Sequence, residues 1–269
     1  MKNSVERSII KTYRKTIWKN FVKAIKTYEL IVENDAIAVC MSGGKDSFLL
    51  AKCLQELQRH HQVKFSLKFL VMDPGYDKNV RAEIIKTAEI LKVPIQIFTT
   101  DIFAQVKGNK NACYLCAKKR RGYLYYFAKQ LNCNKIALGH HFDDVIETIL
   151  LNIFYNGQHQ TMMPKVWSNN FENIELIRPL YFVEEQAIIK WVNYNKLSFI
   201  NCACSNIQKA DSKRLEMKNL IKQLSDQNID IKKNIFQSSE NVNLDALIGY
   251  KKHTISHNFL ADYCRKNGK

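Results

Sequence analysis

Three groups of residues in this sequence are built for chemistry. The first, Ser42-Gly43-Gly44-Lys45-Asp46-Ser47, sets two adjacent glycines among hydroxyl, amine and carboxylate side chains. Glycines lack Cβ atoms, so backbone N–H groups there can approach the oxygens of an anion such as phosphate. Ser42 and Ser47 can donate hydroxyl hydrogen bonds, and Lys45 adds a point charge. A carboxylate beside a phosphate is repulsive unless a divalent cation bridges the two, so Asp46 reads as a Mg²⁺ ligand. The spacing is not that of a Walker loop. The plain alternative, a Gly-Gly turn with Asp46 capping a helix, is disfavoured by the strand–loop–helix setting. The second group is Gly139-His140-His141-Phe142-Asp143-Asp144-Val145-Ile146-Glu147-Thr148. Asp144, Glu147 and Thr148 stand at i, i+3 and i+4, on one face of a helix. Two carboxylates there could bind Mg²⁺ or orient a base. Capping by Asp143, with Asp144 and Glu147 favouring the helix dipole, is the alternative.

The third group is the cysteines, at positions 40, 53, 113, 116, 133, 202, 204 and 264. Cys40 and Cys53 lie in apolar segments and read as small buried hydrophobes. Cys113 and Cys116 have the C-x-x-C spacing that clamps one metal centre, and Cys202-Ala203-Cys204 offers a third and a fourth thiolate. A zinc site would call for C-x-x-C twice, and only one is present. A thioredoxin-like redox pair fits the flanking sequence less well, and unrelated buried cysteines remain an alternative.

The elements that must position these groups alternate. Strands are expected at Asp35–Met41, Phe65–Met72, Pro94–Phe98, Lys135–Leu138 and Ile174–Ile177. Helices are expected at Ser47–Arg59, Asn79–Leu91, Lys118–Leu131, Asp143–Phe154 and Val183–Tyr194. Repeated β-then-α units require a parallel sheet covered on both faces, with ligands at the carboxyl ends of its strands. The expected fold is therefore α/β, with a parallel five-stranded sheet between two layers of helices. Residues 1–33 read as an N-terminal helical segment whose apolar side includes Ile9, Tyr13, Ile17, Phe21 and Ile25. Its other side carries Arg7, Lys11, Arg14, Lys15, Lys19, Lys23 and Lys26, either a solvated face or a surface for phosphates. Residues 34–225 form the main domain, closing with a basic helix over Asp211–Leu224, and 226–269 form a C-terminal arm.

Composition narrows the partners. The 269 residues hold 41 Lys and Arg against 25 Asp and Glu, a net charge of +16. Such a surplus points to a polyanion, foremost nucleic acid, although Lys-, Asn- and Ile-rich usage would raise it too. No apolar run is long enough to span a membrane, and no signal-peptide core opens the chain, so a cytoplasmic location without membrane attachment is expected.

The Ser42–Ser47 loop resembles the S-G-G-x-D-S fingerprint of the PP-loop (N-type) ATP pyrophosphatases, whose fold is adenine nucleotide alpha hydrolase-like. Val71-Met72-Asp73, Arg178-Pro179-Leu180 and the Gly139–Thr148 block extend the resemblance, the last of these to the tRNA-modifying branch. With Cys113, Cys116 and a later cysteine before a basic helix, the chain is similar to the tRNA 2-thiocytidine synthetases. The resemblance implies cleavage of ATP between its α- and β-phosphates, with adenine near Met72 and nucleotide contacts from Ser42, Gly43, Gly44, Lys45, Asp46, Ser47, Gly139 and Asp144. It implies a 4Fe-4S cluster on Cys113, Cys116 and Cys204, with Cys202 as the alternative third ligand. It also implies adenylation of a tRNA cytidine at its C2 oxygen, attack by sulfur, and release of AMP. Expected partners are tRNA, held in part by Lys118, Lys119, Arg120, Arg121, Lys213 and Arg214, and a sulfur donor such as a cysteine desulfurase. A homodimer is left open. Neighbouring families that share the loop are the lysidine synthetases and the zinc-bearing thiouridine synthetases, and a non-catalytic nucleotide- or RNA-binding module is the alternative of a different class.

Overall fold

In a computed structural model of the chain, which describes residues 4–60, 63–106, 108–109, 112–200, 211–260 and 263, the alternating elements form one six-stranded sheet and a separate hairpin. The chain opens with α1 (Ser4–Arg7), two π-helical turns (Ser8–Thr12 and Arg14–Trp18) and α2 (Lys19–Thr27). Then follow β1 (Ala36–Cys40), α3 (Lys45–His60), β2 (Ser66–Asp73), α4 (Lys78–Ile90) and β3 (Ile95–Thr99). The second half of the sheet is built from α5 (Ile102–Val106), α6 (Ala112–Gln130), β4 (Lys135–Ala137), α7 (Phe142–Asn156), β5 (Lys165–Trp167), β6 (Glu175–Ile177) and α8 (Glu185–Tyr194). Helices α9 (Asp211–Gln227) and α10 (Ile231–Gln237) precede the hairpin of β7 (Gly249–Lys252) and β8 (Ile255–Asn258).

The strand order is β3-β2-β1-β4-β6-β5, and every pairing is parallel except β5 with β6. The sheet therefore has six strands where five were expected. The expected fifth is β6, and the addition is β5, an antiparallel edge strand of three residues. Three residues are too few to show a period, and Val166 and Trp167 are exposed, so β5 left no apolar signal.

Side-chain alternation divides the core between the two sheet faces. Ile37, Val39, Phe69, Val71, Ala137 and Ile177 face the layer formed by α3, α4, α7, α8 and the N-terminal helices. Ala38, Cys40, Ile136 and Leu176 face Tyr125 and Ala128 of α6, while Leu70 and Met72 pack with Phe127 of the same helix. Crossovers α3 and α4 thus lie on one face and α6 on the other. The direction of winding reverses between β1 and β4, which opens a crevice at their carboxyl ends.

The N-terminal helices belong to this core. Ile9, Ile17 and Phe21 are fully buried in one cluster with Phe48 and Trp191. Glu6 pairs with the buried Lys52 at 2.7 Å, and Trp191 Nε1 donates to Ser8 Oγ at 3.1 Å. At the other end, Phe236 of α10 packs against Phe142, Tyr181 and Phe182.

Candidate active site

The Ser42–Ser47 loop leaves β1 and turns into α3 at the β1/β4 reversal. Gly43 sits at φ +86°, a left-handed conformation that favours glycine, and a Cβ there would also lie 2.8 Å from Ile84 Cγ1. Ser47 Oγ donates to Gly44 O at 2.8 Å, bracing the loop over the N-terminus of α3. That 16-residue helix directs its dipole at whatever anion the loop holds. Gly139, after β4, is packed against the same loop. A Cβ on it would stand 3.1 Å from the carbonyl carbon of Asp46 and 3.2 Å from Ser47 N, so only glycine lets the two loops touch at this distance.

Between them lies a cavity of about 590 Å³. Ser42, Asp46 and Ser47 form one wall, and Gly139, His140 and Asp144 another. Met72 closes the β2 side, and Arg120, Arg121 and Arg178 supply positive charge from α6 and the end of β6. The structure thus brings together Ser42, Asp46, Ser47, Met72, Gly139 and Asp144 of the expected nucleotide residues. Gly43 and Gly44 shape the loop. Lys45 turns aside, its Nζ lying 3.2 Å from both Asp46 and Glu185. Burial lowers the Lys45 pKa, but the two carboxylates outweigh it and hold the ammonium above its ordinary value.

Three buried polar atoms on this cavity make no hydrogen bond: His140 Nδ1, Arg178 Nε and Asp46 Oδ1, the last of which has the Lys45 ammonium beside it at 3.2 Å. Burying such atoms unpaired is costly, and their convergence on one cavity fits a polar ligand. Asp46 suits a divalent cation, Arg178 suits an anion, and the glycine cradle suits phosphate. Burial pushes the His140 pKa down to about 4, with Arg178 and Arg214 adding to the effect, so its imidazole is neutral near pH 7. Burial likewise lowers Arg178 to about 10.

The acidic block is occupied more fully than its sequence suggested. Asp144 Oδ2 accepts from His141 N at 2.9 Å in a capping box, and its Oδ1 accepts from Arg214 Nη2 at 2.8 Å. Arg214 Nε donates to Glu147 Oε2, also at 2.8 Å. Arg214 was expected to hold RNA phosphate; here it clamps the two carboxylates of α7. Burial opposes ionisation of Asp144, but His141 and Arg214 prevail and its pKa falls. At Glu147 burial prevails over Arg214, and the pKa rises. Lys218 bonds Glu185, and Lys232 bonds Asp143 at 2.7 Å, so both α9 and α10 are fastened to the site. Glu185 is drawn down to about 2: burial opposes this, and Lys218 and Lys45 override it. His140, Glu185 and Lys232 received no role from the sequence. Glu185 and Lys232 lie far from the loop along the chain, with no spacing rule connecting them to it.

Helix α6 begins six residues before the expected Lys118, and its first turn carries no acidic residue to mark a helix start. Cys113 and Cys116 therefore lie one turn apart on it. Cys116 is partly buried against the cluster of Leu70, Met72 and Phe127, and Ala117, next along α6, lines the cavity. Cys202 and Cys204 fall outside the described residues. Ile200, before them, stands 3.6 Å from the Cβ position of Gly43, and Asp211, after them, opens the helix of Arg214. Among the described residues no three His, Cys, Asp or Glu side chains form a metal cage. Of the remaining basic candidates, Lys118 and Lys119 are exposed, and Lys213 Nζ lies 4.2 Å over the Tyr155 ring.

Known proteins resemble this arrangement. The PP-loop domain family matches residues 11–224. The tRNA-cytidine(32) 2-sulfurtransferase of Geobacter metallireducens is 38% identical over 240 residues, 86% of this chain and 91% of that protein. That of Coxiella burnetii is 35% identical over 236 residues, 85% of this chain and 90% of its own. Among solved structures, U34-tRNA thiolase NcsA from Methanococcus maripaludis with its 4Fe-4S cluster aligns at TM-score 0.65 and 19% identity, covering 93% of this chain and 88% of that one. That likeness is one of fold. Among the described residues no helix is long and apolar enough to cross a membrane. With a phosphate loop at the strand-order reversal and relatives matched over nearly their full length, the chain belongs to the PP-loop family and, within it, to the family of the tRNA-cytidine(32) 2-sulfurtransferases.

Proposed function

We propose that this protein uses ATP to replace the C2 oxygen of cytidine 32 in tRNA with sulfur. The observation that carries the reading is the single cavity shared by the Ser42–Ser47 loop and the helix bearing Cys113 and Cys116. ATP phosphates would rest on the loop amides of Gly43 and Gly44, the hydroxyls of Ser42 and Ser47, and the α3 dipole. Asp46 Oδ1, which accepts no hydrogen bond and faces the Lys45 ammonium, would hold Mg²⁺. The cytidine C2 oxygen attacks the α-phosphorus, the bond from that phosphorus to the bridging oxygen breaks, and pyrophosphate departs. Sulfur at the hydrosulfide level then bonds to C2, the C2–O bond breaks, and AMP leaves, with no net redox change at carbon. Arg120, Arg121 and Arg178 would offset charge on the leaving phosphates. Neutral His140 can hydrogen-bond without adding a fourth cation.

Cys113, Cys116 and Cys204, or Cys202 in its place, would hold a 4Fe-4S cluster. Its chemistry, when bound, is to present sulfur on an iron that lacks a protein ligand. A donor such as a cysteine desulfurase would supply that sulfur, and light scattering of the purified protein tests for a homodimer. The deciding experiment is mass spectrometry of tRNA nucleosides from a strain lacking this gene. 2-Thiocytidine should vanish, return with the wild-type gene, and stay absent with Asp46→Ala. Unchanged 2-thiocytidine in the deletion strain overturns the reading.

A further inference from the structure

The N-terminal helices carry a pattern that the reaction leaves unused. Val5, Ile9, Ile17, Phe21 and Ile25 are buried, and the half-buried Tyr13 between them donates its hydroxyl to Lys190 O at 2.8 Å. These positions recur every four residues. Arg7, Lys11, Lys15, Lys19 and Lys23 repeat with the same period, shifted by two, and all five are exposed.

A four-residue repeat does not suit an α-helix. Four residues overshoot one turn by about 40°, so the five steps from Val5 to Ile25 would rotate the apolar row by roughly 200° and the four from Arg7 to Lys23 the cation row by roughly 160°. The apolar row would leave the core partway along. The two π-helical turns correct this drift. Bonds from Tyr13 N to Ser8 O (2.8 Å) and from Trp18 N to Tyr13 O (3.3 Å) close on the fifth residue and take about one more residue into each turn. The average is brought close to four per turn, and positions two apart then fall on opposite sides. One result is a straight apolar row on the core. The other is a straight row of cations facing solvent, about 6 Å apart.

A solvated face needs polar residues, not a cation at every outward step. Like charges four apart oppose each other on a helix, and nothing here relieves them. Glu6 is the only acid in residues 1–28, and it is buried against Lys52. Among the described residues none of the five row cations, nor the flanking Arg14 and Lys26, forms a salt bridge. At the row's end, Lys23 Nζ lies 4.5 Å over the ring of Phe182. Phe182 precedes by three residues Glu185, the partner of Lys45 in the phosphate loop. The row thus runs from the far end of α3 to the edge of the active site.

We infer that this row binds the phosphate backbone of the tRNA and guides the acceptor nucleotide to the cavity past Lys23, an inference that rests on the tRNA reading above. The test is binding of unmodified tRNA transcript by the full chain across a salt series, comparing wild type with Lys11→Gln/Lys15→Gln/Lys19→Gln. Losing three phosphate contacts should flatten the slope of log K against log salt by about 2 to 3 and weaken binding on the order of 10- to 100-fold near physiological salt. The same three positions changed to Arg should keep wild-type slope, and thermal unfolding of both variants should match wild type. A Gln variant with the wild-type slope overturns the inference while leaving the thiolation reading intact. So does a variant that loses only binding to phosphatidylserine vesicles. Wild-type protein that binds no tRNA at any salt would instead sink the tRNA reading itself.

Discussion

Gly139→Ala adds one methyl group where the two loops of the site meet backbone to backbone. The new Cβ would meet Asp46 C at 3.1 Å, Asp46 O at 3.2 Å and Ser47 N at 3.2 Å. All three are backbone atoms at the start of α3, so no side chain can swing aside. Either β4 or the phosphate loop must shift by a few tenths of an ångström. Overpacking of this kind costs about 1 to 3 kcal/mol. If half of that is felt by the loop in its ATP-bound form, affinity falls about 2- to 12-fold, since each 1.4 kcal/mol is tenfold. The assay is pyrophosphate exchange into ATP, with tRNA present, alongside thermal unfolding. Gly44→Ala is the control, because its Cβ would meet only Ser42 Oγ, at 3.5 Å. It should unfold like wild type, so any weakening of ATP binding it shows comes from blocking phosphate. Gly139→Ala should lower both the unfolding temperature and ATP affinity. Wild-type values for both would refute the view that contact between the two loops sets the phosphate site.

Two further predictions concern stability. Lys135 is buried between Asp35 (3.0 Å) and Glu175 (3.2 Å) and donates to Leu30 O at 2.8 Å. Lys135→Met leaves two buried carboxylates without their cation and should cost about 3 to 5 kcal/mol in urea unfolding; a loss under about 1 kcal/mol would contradict it. His140 has its pKa lowered from 6.5 to about 4 on folding, so the unfolded chain binds its proton more readily. Its contribution is present above pH 6.5 and is lost as pH falls toward 4, by on the order of 3 kcal/mol. His140→Gln should flatten the stability curve across that window, and an unaltered curve would count against a neutral buried imidazole.

Much of the architecture was legible because strong local signals coincided. Each of the five parallel strands carries buried or half-buried apolar residues between helical segments, and the two glycine-bearing loops interrupt the pattern where a strand must hand over to a helix. What escaped detection lacked either length or proximity. Strand β5 is three residues long and half exposed. The first turn of α6 holds no acidic residue, so the helix was expected only from Lys118, and Cys113 and Cys116 lie on it rather than before it. The pairing of Arg214 with Asp144 and Glu147 joins residues 70 and 67 apart in the chain, and no periodicity reports on a contact at that separation.

The surplus of positive charge resolves into two populations with different physics. Arg214, Lys218 and Lys232 come from the C-terminal helices, and each ends on a carboxylate of the α7 or α8 N-terminus. Their charge is neutralised within the protein and ties those helices to the site. Asp143, Asp144, Glu147 and Glu185 cluster at two helix N-termini, where the dipoles favour them individually, but their mutual repulsion in a partly buried site requires cations nearby. The N-terminal row has no such counterpart, since its only acid is turned inward to Lys52. A net charge counted from sequence treats both populations alike. Of these two, only the second is available to a polyanion, and removing cations from the first should disturb the site without changing the salt dependence of RNA binding in proportion.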